Sequence, residues 1–501
     1  MNDLRFILTY NQTAYTLANS PNGWEAMDVK LERSERYYGV FNEYSANIQF
    51  VGDGAEIVRT AFYTDLWIEI PTLEIQRRNR YTNTYDNVYT FELDMSTFND
   101  TPEQVSVMGI KGGLARLIKA NETTVHQFGE LTSDQVKFYR GATSRQVEYY
   151  DLNRVMEMLF DKVTEGGYTA GTYGLDTTLL DAYESEIVVI TGRSLREQSI
   201  GDLKMSFEMF FKIINSIKPV GLTIETIDGK ETLTFVDRAD LFLQSEVDTI
   251  ELGESFSLKP YTPYMVRNIV AGYSTNDYED TTAQNYEFCV EANFNLPISN
   301  ITNTYDIKCP IRADVYGMYE IWDTTDGQED EMFILCVEDD PDSSYLRPDV
   351  GRVYNENLTN ITALNVLVSP KRSVIAHKPW IESMADHLEG FSLGFVSGGL
   401  QLKYLTTQIE YLISELIDEG SGYELEAPSI FKPYIFSIDG TVETDFFDNV
   451  KTTPYGYITF TYEGVDYSGF IINLSYRAYG NKYVQCDLLC LPTTDLTTLI
   501  R

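Results

Sequence analysis

Tyr44-Ser45-Ala46-Asn47-Ile48-Gln49-Phe50-Val51-Gly52-Asp53-Gly54 is the stretch on which the reading of the fold turns. Tyr44, Ala46, Ile48 and Phe50 alternate with Ser45, Asn47 and Gln49, the period of two expected of a strand with one buried face. Gly52-Asp53-Gly54 ends that strand, and Ile57, Val58, Ala61 and Phe62 then recur at the spacing of a short amphipathic helix. Alternation returns at Leu66, Ile68 and Ile70, and again at Tyr89, Phe91, Leu93 and Met95 beyond the polar turn Asn79–Asn87. Val105 and Val107 read as a further strand, and Leu114, Leu117 and Ile118 as a short helix. A sheet carrying small helices is the simplest account of residues 1–130.

Outward from there, residues 131–250 read as a mixed α/β domain. Met156, Leu159 and Val163 suggest a helix, Gly166, Gly167, Gly171 and Gly174 a loop, and Ile187–Ile190 a short strand. The clearest unit is 206–236. Ser206 is a good N-cap, and Phe207, Phe210, Phe211, Ile214 and Ile217 lie on one helical face. Pro219 and Gly221 stop that helix. Leu222 and Ile224 then lead into Asp228-Gly229, which supplies the positive φ angles of a tight hairpin, and Leu233 and Phe235 lead away. Residues 251–424 read as a β-rich domain with acidic loops, and a helix is expected around Leu405–Ile417. Residues 425–501 read as a small antiparallel β-sandwich. There Ile458, Phe460 and Tyr462 alternate up to Glu463-Gly464, followed by Ile472, Leu474 and Tyr476, then Val484, Cys486 and Leu488. The chain is therefore expected to be mainly β (α+β), with several β-barrel or β-sandwich modules and short helices. It lacks Pro-rich or Gly/Ser linkers, which implies modules packed against one another.

The 501 residues are too many for one compact core, and 43% hydrophobic content is a globular value. Tyr is abundant, 36 residues against 4 Trp, which suits broad sheets and wet interfaces. The formal charge of −38 argues against sequence-specific nucleic-acid binding, which needs Lys and Arg to neutralise phosphates. Met1-Asn2-Asp3-Leu4-Arg5 opens no signal peptide, and no apolar run approaches the roughly 20 residues that span a bilayer. A soluble protein made in the cytoplasm, without membrane insertion, is expected. Cys289, Cys309, Cys336, Cys486 and Cys490 contain no Cys-x-x-Cys pair and read as reduced core residues.

Motifs that carry chemistry are few. His126, His377 and His387 are the only histidines and form no His-x-x-x-His pair. There is no Gly-x-Ser-x-Gly elbow, and the glycines over 166–174 carry no Gly-Lys-Ser/Thr. Gly109, Gly112 and Gly113 precede a helix whose N-terminus could take an anion, although a turn is their commoner use. A glycosidase carboxylate pair, roughly 5 to 9.5 Å apart in space, leaves no signature in sequence. Two acidic stretches offer the hard oxygen ligands that calcium prefers. They are Asp323, Asp326, Glu329 and Asp330 around Gly327, and Glu338, Asp339, Asp340 and Asp342 beside Pro341. Neither has EF-hand spacing, so solvated turns are their ordinary reading. No catalytic residue and no cofactor are expected.

Several passages together resemble a family of tail proteins from phages and prophages of Bacteroidetes-type bacteria. They are Leu31-Glu32-Arg33, Tyr37-Tyr38-Gly39-Val40, Phe50-Val51-Gly52-Asp53-Gly54, and Ser206-Phe207 with its helix and hairpin. Ile311-Arg312-Ala313-Asp314 with Tyr316-Gly317, Val368-Ser369-Pro370-Lys371-Arg372 with His377, and Pro454-Tyr455-Gly456 within Asn449–Ile458 continue the series. The resemblance implies a structural virion protein of the tail tip or baseplate, similar to a tail hub or distal-tail protein. It implies a homo-oligomeric ring of three- or six-fold symmetry around the DNA channel, with tail-tube and baseplate proteins as partners. It supplies no catalytic residues. The alternatives are a host-surface glycan-binding tail protein and a tail-associated glycan or cell-wall hydrolase.

Overall fold

The computed structural model describes residues 4–64, 69–78, 82–128, 134–140, 143–181, 187–196, 203–274, 291–295, 300–313, 321, 331–339, 346–348, 373–374, 376–385, 391–396, 399–404, 407–411, 423–424, 429–443, 445–477, 482–496 and 499. Twelve strands make one sheet. They are β1 (Leu4–Tyr10), β2 (Thr13–Thr16), β3 (Asp28–Arg33), β4 (Val40–Phe50), β5 (Thr72–Arg78), β6 (Tyr85–Asp100), β7 (Val105–Lys111), β8 (Glu246–Pro260), β9 (Tyr434–Thr441), β10 (Tyr457–Tyr462), β11 (Val465–Arg477) and β12 (Tyr483–Cys490). Their order is β2-β1-β5-β6-β7-β4-β3-β11-β10-β8-β9-β12, and β12 pairs back onto β11, so the last five close a ring. All neighbours run antiparallel except β8 and β10.

The expected inward residues of β4, Ala46, Ile48 and Phe50, are buried, as are Phe91, Leu93 and Met95 of β6. Helix α1 (Gly52–Tyr63) lays Ala55, Val58 and Ala61 against this face. The alternation at Leu66, Ile68 and Ile70 does not become a strand. Leu66 and Ile68 lie outside the described residues, Ile70 is half exposed, and β5 begins after Pro71, which has no N–H to give a ladder.

The C-terminal strands do not close a sandwich of their own. Residues Asn473–Arg477 of β11 pair with Asp28–Glu32 of β3, and one apolar core runs from Phe6 through Phe50 and Phe91 to Phe460 and Leu488. The boundary expected after residue 250 falls inside β8, which bridges β9 and β10. Alternation tells which side chains face inward, but strand-edge pairing between distant segments is set by shape and register in three dimensions.

A second core gathers α2 (Leu114–Asn121), α3 (Leu152–Val163), α4 (Phe207–Ile217) and the hairpin of Val220–Ile227 with Lys230–Asp237. Ser206 accepts a hydrogen bond from Met209 N at 3.2 Å, and Phe207, Phe210, Phe211, Ile214 and Ile217 are buried. Asp228 and Gly229 have φ of 51° and 79°, the left-handed pair that a two-residue hairpin turn needs. Strands Asp134–Arg140, Thr143–Asp151, Ile187–Thr191, Met332–Asp339 and Leu346–Pro348 close a small barrel.

A third core surrounds Trp380 of α5 (Lys378–Ala385) with Phe242, Tyr264, Phe431 and Phe470. The helix expected around Leu405–Ile417 is not found: Thr407–Tyr411 is a strand paired with Gly399–Tyr404, and 412–417 lies outside the described residues. Thr407, Ile409 and Tyr411 alternate with Gln408 and Glu410, a β pattern that outweighed the leucine spacing. Among the described residues no helix is long and apolar enough to cross a membrane.

Candidate functional site

The three cores meet at a junction built on two buried arginines. Arg33 ends β3 and is 2% exposed. Its Nε donates to Ile471 O (2.8 Å), and its Nη1 donates to Tyr38 O (2.9 Å) and Leu241 O (2.8 Å). The guanidinium lies 4.2 Å from the Phe242 ring centre. Burial drops its pKa to about 10, a direction opposed by the neighbouring Tyr264, Tyr455 and Tyr261 hydroxyls. A planar fork of five donors suits this task, since it ties three separate chain segments through their carbonyls.

Arg238, fully buried, follows the hairpin. Its Nη1 donates to Tyr305 Oη (2.7 Å), its Nε to Val220 O (3.2 Å), and its Nη2 to Asn215 Oδ1. The guanidinium is sandwiched 3.7 Å from the Tyr38 ring and 4.8 Å from the Trp380 ring. Tyr305 in turn contacts His377 Nδ1 at 2.6 Å, and His377 Nε2 contacts Asn215 O at 2.6 Å. Ser373 Oγ donates to Ser216 O (2.9 Å). Asn215 and Ser216 lie in the last turn of α4, whose carbonyls have no partner within the helix. Ser373 and His377 therefore cap α4 from another part of the chain.

Beside the junction opens a cavity of about 760 Å³. Phe41, Ile118, Leu222 and Ile224 line its apolar side, and Arg36, Lys119 and several carboxylates its polar side. Those polar groups are engaged with one another. Arg36 reaches Glu122 (2.9 Å) and Glu208 (3.1 Å), Lys119 reaches Glu43 (3.3 Å), and Tyr37 Oη donates to Glu122 (2.8 Å). Burial, then the Glu122 carboxylate, pushes the Tyr37 hydroxyl well above its ordinary pKa.

The N-terminus of α2, after Gly112 and Gly113, is occupied from within. Leu114 N donates to Glu231 Oε2 (2.7 Å) and Gly113 N to Glu92 Oε1 (3.3 Å). The sequence feature that suggested an anion site is thus a clasp holding the hairpin and β6 to α2. Glu231→Ala is expected to cost about 1 kcal/mol, the usual worth of such a cap. The fall in Tm should shrink at high salt; an unchanged Tm would show the clasp to be idle.

Of the calcium candidates, only Glu338 and Asp339 are among the described residues. Asp323, Asp326, Glu329, Asp330, Asp340 and Asp342 lie outside the described residues. Glu338 and Asp339, expected in a solvated turn, instead continue the strand Met332–Asp339 and pair with Arg347 and Leu346. The ladder begun at Met332 simply persists two residues further than hydrophobicity indicated. No cluster of His, Cys, Asp and Glu suited to a metal occurs among the described residues. Cys309, Cys486 and Cys490 are buried thiols, and burial raises Cys309 to about 11 and Cys490 to about 12. Cys289 and His387 lie outside the described residues. His126 sits on the short strand His126–Phe128, paired with Met205.

Asp439 is held below the usual carboxylate range by the Tyr483 hydroxyl and Ser255 N–H, and Asp100 by the Arg59 guanidinium. Asp53 is also lowered: burial opposes its charge, but N–H donors from Ala18 and Gly54 outweigh it. These shifts run opposite to the raised pKa of a general acid. Arg33, Arg238 and the helix-capping role of His377 were beyond sequence reasoning. Their only signal was that Leu31-Glu32-Arg33, Tyr37-Tyr38-Gly39 and His377 fall in the passages resembling tail proteins.

No protein-family model matches the chain, and no curated protein matches it in sequence. Among solved structures it is similar to a tail protein from Neisseria meningitidis MC58, at 8% identity and TM-score 0.39, covering 97% of each chain. It is also similar to the prophage tail protein gp18 from Listeria monocytogenes EGD-e, at 8% identity and TM-score 0.36, covering 100% of this chain and 98% of that one. A 43 kDa tail protein of prophage MuSo2 from Shewanella oneidensis gives 9% identity and TM-score 0.36, with 98% of both chains covered. With TM-scores below 0.5, these likenesses assign no role by themselves.

Proposed function

We propose that this chain is a structural subunit of a phage tail tip or baseplate. It forms a symmetric ring around the DNA channel and connects the tail tube to host-recognition parts. The observation that carries the reading is where the family-like passages meet. Arg33, Tyr37, Tyr38, Gly39, the 206–236 module and His377 converge on one interior junction that locks three cores. The passages that resemble tail proteins thus serve rigidity between modules, as a load-transmitting subunit requires.

The acidity fits the same role. Residues 271–360 hold nineteen of the 76 Asp and Glu but only four of the 38 Lys and Arg, so the charge is unevenly spread. Carboxylates facing a DNA path would repel phosphates and keep the genome from sticking. Virion localisation, and partnership with tube and baseplate proteins, belong to this proposal.

The test is electron microscopy of the purified chain, alone and with its neighbouring tail proteins. Rings of three- or six-fold symmetry are expected. A chain that stays monomeric at all concentrations and joins no tail particle sinks the reading, and turnover of peptidoglycan or polysaccharide would replace it with the hydrolase.

A further inference from the structure

The His377 contacts form a connected relay whose proton positions are dictated by its ends. Asn215 O can only accept, so His377 Nε2 carries the hydrogen and Nδ1 must accept from the Tyr305 hydroxyl. Tyr305 Oη meanwhile accepts from Arg238 Nη1. The arrangement is satisfied only when the imidazole is neutral. A second proton on Nδ1 would face a hydroxyl already receiving the Arg238 N–H. It would also place a positive ring beside a buried guanidinium. Among the described residues, the groups facing the ring are Tyr305 and Arg238, with Tyr38 and Tyr264 behind Arg238 and buried Lys378 next in the chain, and none of these is a carboxylate.

We propose that His377 is an acid-operated latch. Neutral, it fastens α5 of the third core, which follows it directly, to the end of α4 in the second; protonated, it releases that cap and lets the two cores part. Burial and then Arg238 hold the ring well below its ordinary value of 6.5. The sign follows: a base depressed in the folded state contributes stability that is fully present above pH 6.5. That stability is lost as pH falls from 6.5 toward the folded pKa. With three histidines in the chain, few other groups titrate in this window.

Hydrogen exchange of the full chain, corrected for intrinsic rates, should show the amides of 376–385 and 212–217 opening together. Opening should increase about tenfold per pH unit below pH 6.5, the slope of one proton. His377→Gln keeps a donor for Asn215 O and an acceptor for Tyr305 but cannot titrate, so its profile should be flat. The double variant H126Q/H387Q leaves His377 alone and should keep the wild-type slope. A flat wild-type profile, a slope retained in H377Q, or a slope lost in the double variant would each overturn the latch.

Discussion

Arg33→Ala is expected to lower stability by about 4 kcal/mol, because it strands three buried carbonyls at roughly 1–3 kcal/mol each, with entering water recovering part. Those carbonyls belong to Ile471, Tyr38 and Leu241, on the ring of C-terminal strands, the β3–β4 turn and the short turn Arg238–Leu241 that follows the hairpin. Arg33 thus ties three separate segments through their main chain. The loss should therefore appear as uncoupling as well as a lower Tm. A calorimetric trace that is a single transition in the wild type should split in the variant, with the N- and C-terminal sheet melting apart from the helical core. Arg33→Lys keeps the charge but not the fork, and should recover less than half of the loss. A Tm within a degree of wild type for Arg33→Ala would mean that the junction carries no load.

Gly39→Ala should be comparably damaging for a different reason. A Cβ built at Gly39 lies 1.9 Å from Leu222 O, which is main chain and cannot rotate away. The β3–β4 turn and the hairpin would have to separate, losing the bond from Leu222 N to Tyr37 O at 3.0 Å. The expected cost is about 3 kcal/mol or more, as for other overpacked buried sites. Amide exchange at Leu222 and its neighbours should rise while β1, β5 and β6 stay protected. Gly229→Ala is the control. It meets nothing within 4 Å, so only its left-handed φ of 79° is strained, at about 1 kcal/mol. Equal effects from the two substitutions would remove the steric argument.

Some of this was legible in advance. The 206–236 unit needed only local physics. Ser206 caps, the phenylalanines and isoleucines share a face, Pro219 ends the helix, and Asp228-Gly229 turns the hairpin. The inward residues of β4, β6 and β10 followed from alternation in the same way. Strand partners did not, because β3 and β11 lie more than four hundred residues apart and nothing in either strand names the other. The acidic stretch at Glu338 illustrates the boundary between the two: its composition suggested a turn, but ladder pairing with Leu346–Pro348 held it as strand.

From the sequence alone come the mainly β class, the helix and hairpin of 206–236, the charge of −38 and the poverty of catalytic motifs. These depend on neighbours a few residues apart or on sums over the chain. Tertiary structure alone decided that the first and last strands share one core, that Arg33 and Arg238 are interior, and that His377 caps a helix far from it in sequence. A buried arginine or a neutral histidine is tolerable only when particular carbonyls and rings surround it, and that surrounding exists only after the chain has folded.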